Sequence, residues 1–216
     1  MTLTSASARP AHRKRHVERG PRPEDQVLRL ADRRRLGYSE SGDPEGAPVL
    51  FFHGFGTTRV ICPPAQPAEE LGIRLIAVDR PGIGLSDPKP GRNLLDWPAD
   101  IAELADHLAL DSFSIVGWSG GSPYALACGL AMADRVRAIA AGTVSSRAPW
   151  VIRLAMWHWG RGQRRDAERF FEKSVADMCA ADQEVLTEPE LRSRMIANST
   201  ELYRQGGRGM YDEALI

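Results

Sequence analysis

Short apolar runs alternate with helical patterns along most of the chain. Runs rich in valine, isoleucine and phenylalanine occupy residues 49–53, 73–78, 113–116 and 136–141, and each has the length of a buried strand. Between them, apolar residues recur at helical spacing, most clearly over residues 96–109. Strands that alternate with helices need crossover connections, so the pattern predicts an α/β fold with a mainly parallel sheet.

The organised part of the chain is predicted to begin near residue 26 with a β-hairpin. Residues 27–30 and 36–39 flank Asp32 and Arg33. Arg33 is unusual there, because a tight hairpin turn favours glycine at that place. Residues 1–25 contain many Arg, Ser, Ala and Pro residues and almost no large apolar side chain. We expect a disordered basic tail and no signal peptide. The alternatives are a transit peptide and a nucleic-acid-binding arm.

Composition excludes several classes of protein. The 216 residues carry 28 basic and 28 acidic side chains, so the formal net charge is zero and favours neither nucleic acid nor an anionic membrane as a partner. No apolar stretch approaches the roughly 20 residues of a membrane span. The three cysteines are too few and too scattered for a disulfide framework or a zinc site. We expect a cytoplasmic protein without a metal centre.

Residues 117–121 read Gly-Trp-Ser-Gly-Gly, between the apolar run 113–116 and a helical pattern that starts near residue 122. This G-x-S-x-G pattern predicts a sharp strand-to-helix turn that exposes the hydroxyl of Ser119 above the end of the sheet. Gly117 and Gly121 suit such a turn, because a side chain at either place would collide with neighbouring backbone. Ser119 is the candidate nucleophile.

A second glycine-flanked turn, His53-Gly54-Phe55-Gly56, follows the predicted strand 49–53. A serine that attacks a carbonyl group creates a negative oxygen, which needs fixed hydrogen-bond donors. We expect the backbone N–H groups of Phe55 and Gly120 to be those donors. The alternative is a glycine-rich turn with no role in chemistry.

A third segment, Asp79 to Pro88, follows the predicted strand 73–78 and contains the sequence Arg-Pro-Gly-Ile-Gly-Leu-Ser. Its proline and glycines predict a rigid, sharply turning loop that borders the serine. Asp79 and Arg80 are candidates for catalysis. We favour structural roles, with the carboxylate bonding N–H groups of its own turn and the arginine fixing the loop.

In this order and at these separations, the three motifs resemble the α/β-hydrolase superfamily, in its capped bacterial branch with a serine nucleophile. The resemblance covers residues 26–216. It implies acyl transfer through a covalent ester on Ser119, an oxyanion hole and no cofactor. We expect a small, apolar, ester-like substrate. Serine at residue 119 also distinguishes the chain from similar dehalogenases and epoxide hydrolases, which use aspartate as the nucleophile.

The chain departs from this family in the two partners of the serine, which should follow it in the order acid, then histidine. His158 is the one histidine after Ser119, and it lies too soon after the motif. The chain also stops at Ile216 in an uncapped helical pattern. We therefore predict a truncation before the last two strands of the fold, and a chain that is marginally stable and nearly inactive alone.

The predicted organisation has four parts, of which the first is the basic tail of residues 1–25. Residues 26–146 form the N-terminal part of the hydrolase core, 147–205 resemble the helical cap of this family, and 206–216 begin a core helix. Caps roof the serine pocket in this family, which makes Trp118, Trp150 and Trp157 candidate pocket residues. The alternative is that these helices only pack on the core.

Two other kinds of function remain open at this point. One is a non-catalytic binding relative that has kept the serine turn and lost its partners. The other is a cofactor-free haloperoxidase, a perhydrolase or a lyase that uses the same serine. The sequence does not indicate an oligomeric state.

Overall fold

The computed structural model describes residues 25–142 and 167–216. In these ranges the strands are β1 (Asp25–Arg29), β2 (Arg35–Gly42), β3 (Ala47–Phe52), β4 (Ile73–Val78), β5 (Phe113–Trp118) and β6 (Val136–Gly142). The α-helices are α1 (Ala65–Glu70), α2 (Trp97–His107), α3 (Ser122–Ala131), α4 (Ala167–Ala176), α5 (Ala180–Val185), α6 (Pro189–Leu202) and α7 (Arg208–Glu213). Single 3₁₀ turns occur at Arg59–Ile61, Leu94–Asp96 and Ser119–Gly121.

The strands form one sheet in the order β1-β2-β4-β3-β5-β6. β1 and β2 are antiparallel, β2 and β4 are antiparallel, and β4, β3, β5 and β6 run parallel to one another. The prediction of a mainly parallel sheet with an opening hairpin is therefore confirmed. The parallel strands end at one edge of the sheet, so the loops after β3, β4 and β5 lie side by side.

The hairpin turns at Arg33, which has a φ of 72°. The amide of Arg33 donates to the carbonyl oxygen of Leu30 at 2.8 Å, and the amide of Leu30 donates to the carbonyl oxygen of Arg34 at 2.9 Å. Arg33 thus adopts the left-handed conformation that made glycine the expected residue at this place.

The larger core cluster lies on the sheet face that α2 and α3 cover. Trp97 of α2 packs edge-on between Phe52 of β3 and Tyr124 of α3, with ring centroids 5.4 Å and 5.9 Å away. Such aromatic pairs add stability beyond the area they bury. They hold the start of α3, and hence the turn at Ser119, against the end of β3.

The C-terminal helices cover the loops at the carboxyl edge of the sheet. Leu202, Tyr203 and Met210 form a buried cluster with Ile83 of the loop after β4, and Phe55 packs against it. β6 pairs with β5 alone among the described residues and is largely exposed. Of the helices in residues 25–142 and 167–216, none is long and apolar enough to cross a membrane.

Three predicted parts lie partly outside the described residues. The predicted tail is described only at Asp25, which belongs to β1. Residues 143–166 are also outside, and with them the last four residues of the predicted core and the first part of the predicted cap. The rest of the predicted cap, residues 167–205, contains α4, α5 and α6.

Candidate active site

Ser119 occupies a strained turn between a strand and a helix. β5 ends at Trp118, a 3₁₀ turn spans Ser119–Gly121, and α3 begins at Ser122. The φ of Ser119 is 50°, in the left-handed region. For a residue with a side chain this conformation costs about 1–2 kcal/mol, and such strain concentrates at functional sites.

Gly117 and Gly121 are required by lack of space. A Cβ atom on Gly117 would lie 2.8 Å from the carbonyl oxygen of Gly121 and 2.9 Å from the Cβ of Ala125. A Cβ atom on Gly121 would overlap the carbonyl oxygen of Phe52 and lie 2.7 Å from its carbon. The two glycines let α3 start directly against the ends of β5 and β3.

The loop after β3 lies against the serine turn. A Cβ atom on Gly120 would be 2.8 Å from the amide nitrogen of Phe55, and one on Gly54 would be 3.5 Å from the Cβ of Ser119. The structure thus brings together Ser119, Gly120, Gly54 and Phe55. No hydrogen-bond acceptor for the amide of Phe55 lies among the described residues.

His53 is fully buried and holds this loop. Its Nδ1 lies 2.9 Å from the carbonyl oxygen of Gly54, and its Nε2 faces the amide of Arg80 at 3.4 Å. These partners fit a ring that donates from Nδ1 and accepts at Nε2. Burial, and then the charge of Arg80, lowers the pKa of His53 well below its usual value. A neutral ring with both nitrogens engaged is not available as a general base.

The other described histidine, His107, is distant from the serine. It ends α2, just before β5, whereas Ser119 follows β5. The six residues of β5 separate them by roughly 20 Å at about 3.3 Å per residue. The predicted pocket residues Trp150 and Trp157, and also His158, lie outside the described residues. Trp118 is 48% exposed beside Gly54.

A buried arginine that the sequence did not single out anchors the segment after this loop. Arg59, 1% exposed, pairs with the carboxylates of Asp79 and Asp25 at 2.6 Å and of Glu201 at 3.0 Å. Asp79 also accepts from the amides of Arg59 at 2.8 Å and Leu85 at 3.0 Å. Asp79 therefore joins the loops after β3 and β4, in agreement with the structural role favoured for it.

Arg80 joins the same two loops from the other side. Its guanidinium donates to the carbonyl oxygens of His53 and Gly54 and pairs with Glu213 of α7. It also lies 4.9 Å from the centre of the Tyr124 ring. Burial acts to lower the pKa of Arg80, but the Glu213 carboxylate outweighs it and the pKa is raised. Glu213 was missed because nothing in the sequence links residues 133 positions apart.

A cavity of about 790 Å³ lies between β2, α1 and the start of α6, and none of the predicted site residues within the described ranges lines it. Within the described ranges, no cluster of three or more histidine, cysteine or carboxylate side chains is arranged to hold a metal ion.

Comparison with known sequences identifies the family. The profile of the "Alpha/beta hydrolase family" matches residues 49–209, which is well over half of the chain. The chain belongs to the α/β-hydrolase family. The matched range contains the serine turn, the loop after β3 and the loop after β4.

The curated relatives of this α/β hydrolase differ in chemistry. A pimeloyl-(acyl-carrier protein) methyl ester esterase of Legionella pneumophila is 33% identical over 103 residues, which cover 48% of this chain and 40% of the esterase. Haloalkane dehalogenase 2 of Mycobacterium bovis is 32% identical over 114 residues, covering 52% of this chain and 39% of the dehalogenase. The matches span about two fifths of the length of these relatives.

Solved structures agree in fold. The enol-lactonase of Burkholderia xenovorans superposes with a TM-score of 0.68 at 18% identity, over 88% of this chain and 72% of the lactonase. A thermophilic esterase of Thermogutta terrifontis gives a TM-score of 0.66 at 21% identity, over 88% of this chain and 72% of the esterase. At these identities the likeness shows the shared fold.

Proposed function

We propose that the chain carries the nucleophile and oxyanion hole of a serine ester hydrolase. The observation that supports this most is the left-handed conformation of Ser119 directly after β5, next to the amide of Phe55, which has no acceptor among the described residues. The methyl ester esterase among the relatives supports an ester as substrate. Serine in place of aspartate at this turn weighs against dehalogenation.

The reaction follows from these groups. The Ser119 hydroxyl attacks the ester carbonyl carbon while a base takes its proton, and the amides of Phe55 and Gly120 bind the oxygen that becomes negative. The alcohol then leaves with that proton, and water releases the acid from the acyl-serine. Removal of one oxyanion donor typically slows such a reaction about 10²–10³-fold. Trp118, half exposed next to Gly54, is proposed to contact an apolar substrate.

Neither described histidine is placed to take the serine proton. We therefore expect the 216-residue chain alone to turn over esters at a rate on the order of 10⁴-fold or more below that of a complete serine hydrolase. Slow, stoichiometric acylation of Ser119 is expected to remain, because the oxyanion donors act without the base.

Intact-protein mass spectrometry with a p-nitrophenyl ester and a fluorophosphonate tests this function. We expect one slow covalent addition, lost in Ser119→Ala and kept in Ser114→Ala, which replaces a half-buried serine of β5, the strand before the serine turn. Addition that persists in Ser119→Ala would contradict the nucleophile. Rapid, Ser119-dependent turnover would support the nucleophile and contradict the low activity expected of this chain.

A further inference from the structure

The peptide unit between Gly54 and Phe55 is hydrogen-bonded at its carbonyl oxygen and, within the described part of the chain, not at its N–H. The Gly54 carbonyl oxygen accepts from His53 Nδ1 at 2.9 Å, Thr57 Oγ1 at 2.9 Å and Arg80 Nη2 at 3.1 Å. A carbonyl oxygen has two lone pairs, so three donors occupy all of its capacity to accept hydrogen bonds. One of these donors is charged, and together they fix the position of the oxygen. The Phe55 N–H of the same unit has no acceptor among the described residues.

The planarity of the peptide links these two ends. In a trans peptide the C=O and N–H bonds point in opposite directions, so whatever fixes the Gly54 oxygen also fixes the direction of the Phe55 N–H. A cation on the oxygen also polarises the peptide and strengthens the N–H as a donor.

The Arg80 side chain is itself held from the C-terminal end of the chain. Glu213 Oε2 accepts from Arg80 Nη2 at 3.0 Å, and Oε1 pairs with Arg80 Nε. The Glu213 side chain is only 3% exposed. Arg92 approaches the same carboxylate at 3.6 Å and donates to the carbonyl oxygen of Pro81 at 2.9 Å.

We propose that Arg80 and Glu213 are positioning residues that aim the Phe55 N–H at the substrate oxyanion. The proposal rests on the proposed function for its purpose, but the coupling between Glu213 and the Phe55 amide is independent of any activity. Arg80 acts through the peptide unit and Glu213 acts through Arg80; neither touches the reacting atoms.

Nuclear magnetic resonance of protein labelled with ¹⁵N-phenylalanine tests the coupling directly. The chain has six phenylalanines, and Phe55→Leu identifies the signal of Phe55. We expect Glu213→Gln to shift the Phe55 amide resonance more than any other phenylalanine resonance. Asp100→Asn is the matched control, because it breaks another buried arginine–carboxylate pair, with Arg34 at 2.6 Å.

Thr57→Val provides a second variant should Glu213→Gln not fold, since it removes one donor to the Gly54 oxygen and leaves the ion pair intact. We expect it to shift the same resonance by a smaller amount. A Phe55 resonance unchanged in the variants that fold, or shifted equally by Asp100→Asn, would overturn the proposal.

The rate of Ser119 acylation gives the functional readout. We expect Glu213→Gln to lower the maximal acylation rate about tenfold, less than the complete loss of a donor, with no change in the ester concentration that gives half the maximal rate. A shifted amide with unchanged acylation would overturn the positioning role. Absence of Ser119 acylation in the unmodified chain would contradict the proposed function and the positioning role that rests on that function. The resonance shifts would still show whether Glu213 orients the peptide.

Discussion

Replacement of Gly121 by alanine tests whether the serine turn is as tightly packed as the structure shows. The added methyl group would overlap the Phe52 carbonyl oxygen and lie 2.8 Å from that of His53. The first atom belongs to the last residue of β3 and the second to the residue after it. Hydrogen-bonded neighbours hold this end of β3 on either side, because Phe52 pairs with Val78 and with Gly117. The strand cannot move away without breaking these ladders, so the start of α3 must shift instead.

Forcing a methyl group into packed backbone typically costs about 1–3 kcal/mol, and we expect roughly 3 kcal/mol here because the opposing atoms are not a flexible side chain. For a chain of this size that lowers the unfolding midpoint by about 6–12 °C. Thermal unfolding monitored by circular dichroism measures this change in the unfolding midpoint. The acylation rate of Ser119 should fall as well.

Alanine substitutions at two other glycines serve as controls that distinguish the effect of steric overlap from the effect of backbone strain. No atom of the described residues lies within 4 Å of a Cβ position on Gly142, and we expect Gly142→Ala to change stability by less than about 1 kcal/mol. A Cβ position on Gly56 is equally clear of the described residues, but Gly56 has a φ of 70°, so Gly56→Ala should lose about 1–2 kcal/mol from strain alone. If Gly121→Ala is as stable as Gly142→Ala, the close approach of α3 to β3 described above is wrong.

Three further predictions concern strain, charge and helix docking. Ser119→Gly should be about 1 kcal/mol more stable than Ser119→Ala in urea unfolding, because glycine accepts the φ of 50° without strain; equal stabilities would contradict that conformation. The lowered pKa of His53 means that the unfolded chain binds a proton below pH 6.5 while the folded chain does not. Stability should therefore fall as the pH drops below 6.5, by at most about 1.4 kcal/mol per pH unit from this group, and His53→Gln should flatten the slope. Asn198→Ala should cost about 2 kcal/mol, since the buried amide of Thr58 loses its acceptor at 2.9 Å, whereas Thr200→Ala on the exposed side of α6 should cost much less.

Local patterns were sufficient to predict the sheet and the neighbourhood of the serine. The strand predicted at residues 73–78 coincides with β4, because a short apolar run there is bounded by Gly72 and by the polar Asp79. The meeting of Gly54 and Phe55 with Ser119 was also predictable, since parallel strands end at one edge of the sheet and their loops become neighbours.

The buried charges were not predictable from the sequence. Arg59 pairs with Glu201, 142 residues further on, and Arg80 pairs with Glu213. In the sequence, Glu201 and Glu213 look like ordinary polar positions of amphipathic helices. Only the docking of α6 and α7 onto the loops after β3 and β4 removes them from water, and that docking depends on tertiary packing rather than on local periodicity.

The distribution of glycine around the serine turn supports a chemical role for the Ser119 side chain. Among the described residues, three non-glycine residues have a positive φ, and Arg33 and Ala109 lie where the chain reverses in a hairpin or leaves a helix. Within residues 117–121, however, Gly117 and Gly121 lack side chains for reasons of space, although neither has a positive φ. The one position whose backbone favours glycine carries a serine. A strained serine at this place supports the proposed role of its hydroxyl, because such strain concentrates at functional sites.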